Sequence, residues 1–311
     1  MNAIFNFINE HIFSHILRFF MGMFNDNFAL AIFLFTLAIN IVLIPLNIKS
    51  QKTQLQQTRI KPKLDKLKAK YGDDKQKYSA AMQELYQKEN VSMSGGCLPM
   101  LFRLLLLMSI YYLVISPISY LTTVDTNVIT AVKDGLGIAS NNLRAELEII
   151  SKIFAPGFVA PEAIAGDVET IRGAISPINF DLFGINLTET PHFTFNFANA
   201  NINWLIPFIA FAAAMVSSLI SMRVQKINTP DAPSMKGMML STPLISLFIA
   251  FSAPCGLGFY WACSSLIAGV IQALTQYLYG PYKMLAKERA KKIVEISKQE
   301  SKTLSAHSDK N

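Results

Sequence analysis

Two side chains of this sequence stand where their chemistry is least welcome. Arg103 lies six residues after Cys97 in one apolar run, and Asn40 lies eight residues before the end of another at Ile48. In helices rising ~1.5 Å per residue, these are depths of roughly 9 and 12 Å from one end. A charged side chain at bilayer depth costs about 3 kcal/mol or more on insertion scales, so it marks a functional position by default. The chemistry open to such residues makes no bonds: on adjacent helices they could share a wet pocket in the bilayer. Two bland readings stand beside it. Arg103 could snorkel to the headgroups along its long stem, and Asn40 could join two helices by a hydrogen bond.

Further candidates for a polar groove are Ser217, Ser218 and Ser221 in a third run and Gln272 in a fifth, although serines in such helices more often serve packing. An aromatic belt at the bilayer surface accounts for Tyr260 and Trp261; Trp261 is retained as a groove candidate. Familiar catalytic patterns are absent. The sequence has no G-x-S-x-G, H-E-x-x-H or Walker-type loop, and His11, His15, His192 and His307 all lie outside the apolar runs. Cys97, Cys255 and Cys263 have no C-x-x-C spacing. No enzyme activity, metal or cofactor is expected.

The elements that must position these residues are membrane spans. Apolar residues make up 51% of the 311, charged residues 16%, and the mean hydropathy is +0.33; a soluble domain carries roughly 25% charged residues. Five runs approach the roughly 20 residues that a helix needs to cross a bilayer, at 28–48, 98–118, 204–222, 237–253 and 256–277. The last two are separated only by Ala253-Pro254-Cys255-Gly256, where proline and glycine permit a reversal. The expected fold is an all-α polytopic membrane protein with five transmembrane helices.

Charge orients it. The net charge of +7 divides as +6 over residues 49–97, +2 over 223–236 and +4 over 278–311, against −5 over 119–203 and −1 over 1–27, with Arg103 inside an apolar run as the remaining +1. Because Lys and Arg are retained in the cytosol, the N-terminus is predicted outside and the basic 278–311 tail inside. Residues 1–24 repeat apolar side chains at helical spacing around Asn6, Asn9, Glu10, Ser14 and Arg18. They suit an amphipathic helix in the outer interface, with a retained signal-like segment as the alternative.

Between the first two runs, residues 49–96 read as a basic cytosolic helical hairpin. Its first helix reaches Tyr71, Pro62 should kink or break it, Gly72 suits a left-handed cap, and Asp73 or Asp74 can cap the second helix. Tyr78, Met82, Leu85 and Tyr86 of the second would face Leu64 and Leu67 of the first. The lysines Lys61, Lys63, Lys66, Lys68 and Lys70 suit anionic lipid, ribosomal RNA or an acidic peptide alike.

These residues also carry a resemblance. The run Lys61-Pro-Lys-Leu-Asp-Lys-Leu-Lys-Ala-Lys-Tyr-Gly-Asp-Asp-Lys-Gln-Lys, continuing through Glu84-Leu-Tyr to Gly95-Gly-Cys-Leu-Pro-Met100, is very specific. With Ile44-Pro45-Leu46, Pro254-Cys-Gly-Leu-Gly-Phe-Tyr-Trp261 and the fainter Phe183-Gly-Ile-Asn-Leu, it resembles the YidC-type membrane protein insertases in their shorter, Gram-positive form. The large globular domain that Gram-negative members insert after an extra N-terminal span has no counterpart here.

The resemblance implies an energy-independent insertase and chaperone in the bacterial cell membrane, with a groove open to cytosol and lipid and closed outside. It implies nascent membrane proteins as substrates, and anionic lipid, the ribosome and the general secretion translocon as partners, with no role for DNA. The sequence departs from the family at three places: members usually carry arginine at the position of Asn40, glutamine at that of Arg103 and proline at that of Leu105, as if the charge had changed helices. Competing classes are a channel or solute transporter, which would need a polar lining through 29–35 and 111–115 where residues are mostly apolar, and an assembly scaffold that inserts nothing.

Overall fold

The computed structural model describes residues 7–92, 98–191, 193, 201–228 and 236–279, and a few positions between 290 and 300. The Gly95-Gly-Cys97 motif, His192 and most of the 278–311 tail lie outside the described residues. After a π-helical turn, Asn9–Phe13, the longer helices in chain order are α1 (Ser14–Met23), α2 (Phe28–Val42), α3 (Ile44–Tyr71), α4 (Lys75–Lys88), α5 (Leu98–Ile115), α6 (Pro117–Leu121), α7 (Thr126–Gly135), α8 (Ala145–Ile153), α9 (Ala165–Ile175), α10 (Leu205–Asn228), α11 (Lys236–Ser252) and α12 (Cys255–Tyr279). A two-stranded hairpin, β1 (Asp181–Leu182) and β2 (Ile185–Asn186), stands before α10.

Among the described residues, Ile202–Val224 and Cys255–Leu278 are each long and apolar enough to cross a membrane. Phe28–Val42 and Ile44–Thr53 make a third span if taken together, and Leu104–Ile115 and Pro243–Ser252 are shorter apolar stretches. The chain is an all-α polytopic membrane protein. It divides into two compact units.

The first unit comprises Met1–Ile44, Pro99–Leu219 and Ser234–Gly269. Its N-terminal helix is two-faced, burying Leu17 and Met21 while Phe7, Ile12, Phe19 and Met23 stay exposed. Left-handed backbone at Asn25 and Asp26 turns the chain, a conformation these short polar side chains tolerate. Asn27 then caps α2, its Oδ1 accepting from Leu30 N at 2.9 Å. The helix buries Phe28, Ala31, Ile32 and Phe35 and leaves Leu30, Phe33, Ile41 and Val42 exposed, the pattern of a helix with one face on protein and one on lipid. The run read as one span over 28–48 is divided at Leu43, because Pro45 has no N–H to continue the helical ladder. Pro117 likewise ends α5 at Ile115.

Residues 119–203, read from the sequence only as a connecting loop, carry a hydrophobic core of their own. Ile129 and Val132 of α7, Ile149 and Ile153 of α8, and Val168, Ile171 and Ile175 of α9 are buried together with Ile118. Glu146 ties this bundle to α6: its carboxylate accepts from Ser119 N at 3.0 Å and from Ser119 Oγ at 2.5 Å. Burial raises its pKa above the ordinary 4.5, and the Ser119 bonds oppose that rise. A raised folded-state pKa means this group favours the fold below pH 4.5 and opposes it as pH climbs through the raised value. Hydrogen exchange of α7–α9, corrected for intrinsic rates, should therefore show protection falling with rising pH in the wild type, and Glu146→Gln should flatten that trend. Glu146→Ala, which strands the Ser119 donors, should cost about 1–3 kcal/mol of protection at any pH.

The hairpin pairs Asp181 with Asn186 and Leu182 with Ile185, turning through left-handed Phe183 and Gly184. The following turn docks on α12, where Gly256 N donates to Leu187 O and Cys255 N to Glu189 O, both at 2.8 Å. Two of the amides that a helix start leaves without an internal partner are thereby satisfied. Ala210, Ala213, Ala250 and Ala262 bring α10, α11 and α12 together, small residues permitting close backbone approach. Gly258 is the tightest point: a Cβ there would lie 2.6 Å from Ile206 Cγ2.

The second unit comprises Pro45–Leu98, Ile220–Pro233 and Val270–Asn311. In it, α3 runs through Pro62 without the expected break, and Gly72 is not left-handed. Glycine suits that position for another reason: a Cβ would meet the Lys68 carbonyl oxygen at 2.5 Å. Asp74 caps α4, accepting from Lys77 N at 3.1 Å with the Lys77 ammonium 3.0 Å away. Those two interactions, the backbone bond first, hold its carboxyl below the usual range. Leu64, Leu67, Tyr78, Met82, Leu85 and Tyr86, the face expected between the two helices, are half-buried.

Candidate functional site

In the first unit, Asn40 is buried on α2, and its Nδ2 donates to Thr36 O at 2.8 Å. Thr36 Oγ1 in turn donates to Ile32 O at 2.6 Å. The amide therefore bonds its own helix rather than serving as the interhelical link that the sequence also allowed. It lies in register with Thr36 and Ile32, on the buried face.

The backbone of Arg103 lies in the second turn of α5, and its side chain lies outside the described residues. Its position repeats at Leu106, Ile110 and Val114, which are buried, whereas Leu101, Phe102, Leu104 and Leu105 around it are exposed. Ser217 and Ser218 of α10 and Trp261 of α12 are half-buried. Tyr260 belongs to the hydrophobic core with Phe28, Phe35 and Ile110, so it is a packing residue and not part of an interfacial belt.

The second unit joins two of the expected residues. Ser221 Oγ donates to Gln272 Oε1 at 2.6 Å, linking α10 to α12. Beside this pair in sequence, Gln51 Nε2 of α3 donates to Thr275 Oγ1 of α12 at 2.9 Å, and Ser50, Thr53 and Thr275 are buried. Sequence reasoning missed these four. Ser50, Gln51 and Thr53 stand in a polar, lysine-rich stretch, where another polar residue raises no alarm. Thr275 lies one helical turn below Ile271, whose carbonyl takes its hydroxyl proton at 2.8 Å, and so is individually cheap to bury.

On the hairpin, Lys63 forms an ion pair with Glu89 across the two helices. Lys66, Lys68 and Lys70 are exposed, with the Lys70 ammonium 4.9 Å from the Tyr71 ring centroid. The side chain of Lys61 lies outside the described residues. Among those of the five whose side chains are described, Lys63 is the one paired with a carboxylate of the hairpin.

The family model described as "60Kd inner membrane protein" matches residues 19–281. The chain is 25% identical to "Membrane protein insertase YidC" of Fusobacterium nucleatum over 247 residues, 79% of this chain and 84% of that protein. It is 26% identical to the protein of the same name from Agrobacterium fabrum over 276 residues, which span 89% of this chain and 37% of the relative. The corresponding protein of Anaeromyxobacter dehalogenans strain 2CP-C is 41% identical over 85 residues, covering 27% of this chain and 16% of the relative. The chain spans most of the Fusobacterium protein and well under half of the other two. With the match running from α1 to just beyond α12, this chain belongs to the 60Kd inner membrane protein family, the family of the YidC proteins.

Proposed function

We propose that this chain is a membrane protein insertase that also chaperones its clients, working through a hydrophilic groove open to the cytosol. The carrying observation is Asn40, a polar side chain buried on α2 within an apolar helix whose other face is exposed, with Arg103 on α5 of the same unit. With five spans and the basic segments in the cytosol, both residues stand in the cytosolic half of the bilayer, and Ser217, Ser218 and Trp261 belong to the same unit. Arg103 supplies the positive charge. Water held around it shortens the hydrocarbon path for a polar or acidic flank of the client. The client's own apolar helix supplies the driving force as it partitions into lipid, at about 25 cal/mol per Å² buried.

In the second unit, Ser221, Gln272 and the exposed lysines of the hairpin receive the nascent chain. Those lysines and the basic tail also meet anionic headgroups, the ribosome and the secretion translocon. The N-terminus and residues 119–203 then lie outside.

Photocrosslinking tests the reading directly. A probe at position 40, 103 or 218 should capture a ribosome-stalled membrane protein. The same probe at Val42, 74% exposed on the opposite side of α2, should label lipid instead. Capture at position 42 equal to that at the other three would dismiss the groove.

A further inference from the structure

The β1–β2 hairpin carries a bulky aromatic where neither folding nor solubility asks for one. Phe183, at its tip, is 92% exposed, so the ring rests on little of the chain. Leu182 pairs with Ile185, which leaves Phe183 and Gly184 as a two-residue turn, at φ +53° and +84°. Positive φ at both central residues is what a type I′ turn requires, and Asn-Gly meets it most easily; a bulky side chain in that conformation is an outlier. The turn is closed from within, Gly184 N donating to Asp181 Oδ1 at 3.0 Å.

The place of the hairpin in the first unit supplies a reason for the ring. Its segment meets the start of three apolar helical stretches. At the start of α2, Phe28 N donates to Asn179 O at 3.0 Å, and the Phe28 and Phe180 rings meet edge to face at 5.1 Å. At the start of α12, Gly256 N and Cys255 N donate to Leu187 O and Glu189 O. Gly184 lies against Ile202, where the apolar stretch leading into α10 begins; a Cβ on it would stand 3.7 Å from Ile202 Cδ1. Membrane helices that begin at one end of a bundle begin near one surface of the bilayer, so the hairpin marks that surface. From its tip the apolar exposure continues along Ile202, Leu205 and Ile209, each about half exposed.

We infer that Phe183 is a lipid anchor, its ring entering the headgroup–acyl boundary of the leaflet at which α2, α10 and α12 begin. That leaflet is the outer one in the orientation proposed above. Removing the ring from water drives the contact, as it does for aromatic side chains on interfacial helices. Residues 179–188 contain no Lys or Arg, so the partner is the apolar part of the lipid and not an anionic headgroup. The anchor fixes the depth of the corner where the hairpin joins the three helices, and it requires no insertion activity.

The test uses the full chain in nanodiscs of phosphatidylcholine, with and without lipid brominated on acyl carbons close to the headgroup, which quenches nearby tryptophan. Trp204 and Trp261 are common to wild type and variant, so the difference in emission between Phe183→Trp and wild type reports position 183. Brominated lipid should remove at least about half of that difference, and iodide in the buffer should remove little of it. Asp134→Trp, at an exposed position near the end of α7, should behave in the opposite way. Quenching by brominated lipid no greater at position 183 than at position 134 overturns the inference, whether solvent or another protein is then what the ring meets. Client insertion enters neither reading, so loss of the insertase proposal would leave the anchor standing.

Discussion

A Gly258→Leu chain should reach the membrane at about a tenth of the wild-type amount or less, and its thermal aggregation midpoint should fall. The reason is local. A Cβ at position 258 would stand 2.6 Å from Ile206 Cγ2, with Ala250 Cβ 3.8 Å away on the other side. Ile206 is 1% exposed and packed in the core that includes Leu257 and Tyr260, so it has nowhere to retreat. Overpacking a filled core costs about 1–3 kcal/mol for modest insertions and more for a whole side chain, enough to change steady-state abundance several-fold. Gly258→Ala should show a smaller drop, since Ile206 need shift only enough for one methyl group. Pairing Gly258→Leu with Ile206→Ala should restore much of the loss. A normal midpoint for Gly258→Leu alone would mean that α10 and α12 do not approach this closely.

The second large effect concerns charge. In proteoliposomes made with equal amounts of protein, Arg103→Ala should slow insertion of a client with an acidic translocated flank by at least about fivefold, roughly 1 kcal/mol of barrier. The double variant Asn40→Arg/Arg103→Gln should recover most of that rate. The expectation is physical: a positive charge in a hydrated recess stabilises a carboxylate passing through a region where hydrocarbon alone would not. Either helix can supply it, provided that the position lies on its buried stripe. A client whose crossing flank has no acidic residue should respond far less to Arg103→Ala. Unchanged insertion of the acidic client by Arg103→Ala would remove Arg103 from the mechanism.

Much of this architecture was legible because a bilayer imposes a single demand, continuous apolar length, that sequence displays directly. The hairpin face from Tyr78 to Tyr86 followed from helical period alone, and it is the half-buried face. The pairing of Ser221 with Gln272 was anticipated only as shared polarity; which two side chains meet depends on the approach of α10 and α12, which no local period encodes. The division at Leu43 had its cause in plain view at Pro45, but an apolar run that continues past a proline reads as one segment. Residues 119–203 were the largest omission. Ile129 and Val132, Ile149 and Ile153, and Val168, Ile171 and Ile175 keep helical spacing, yet each helix is short, and short amphipathic segments do not stand out beside long apolar blocks. Thr275 and Gln51 were invisible for the opposite reason, since a hydroxyl bonded to its own helix and an amide among lysines carry no contrast.

The start of α12 has a consequence for the cell. Bare amide hydrogens at a helix N-terminus, with the dipole behind them, attract small anions. Here the Cys255 and Gly256 amides are spent on the carbonyls of Glu189 and Leu187, leaving chloride or phosphate little to hold at that end. Under the insertase reading proposed above, this removes one place where an anion could lodge beside a client's path.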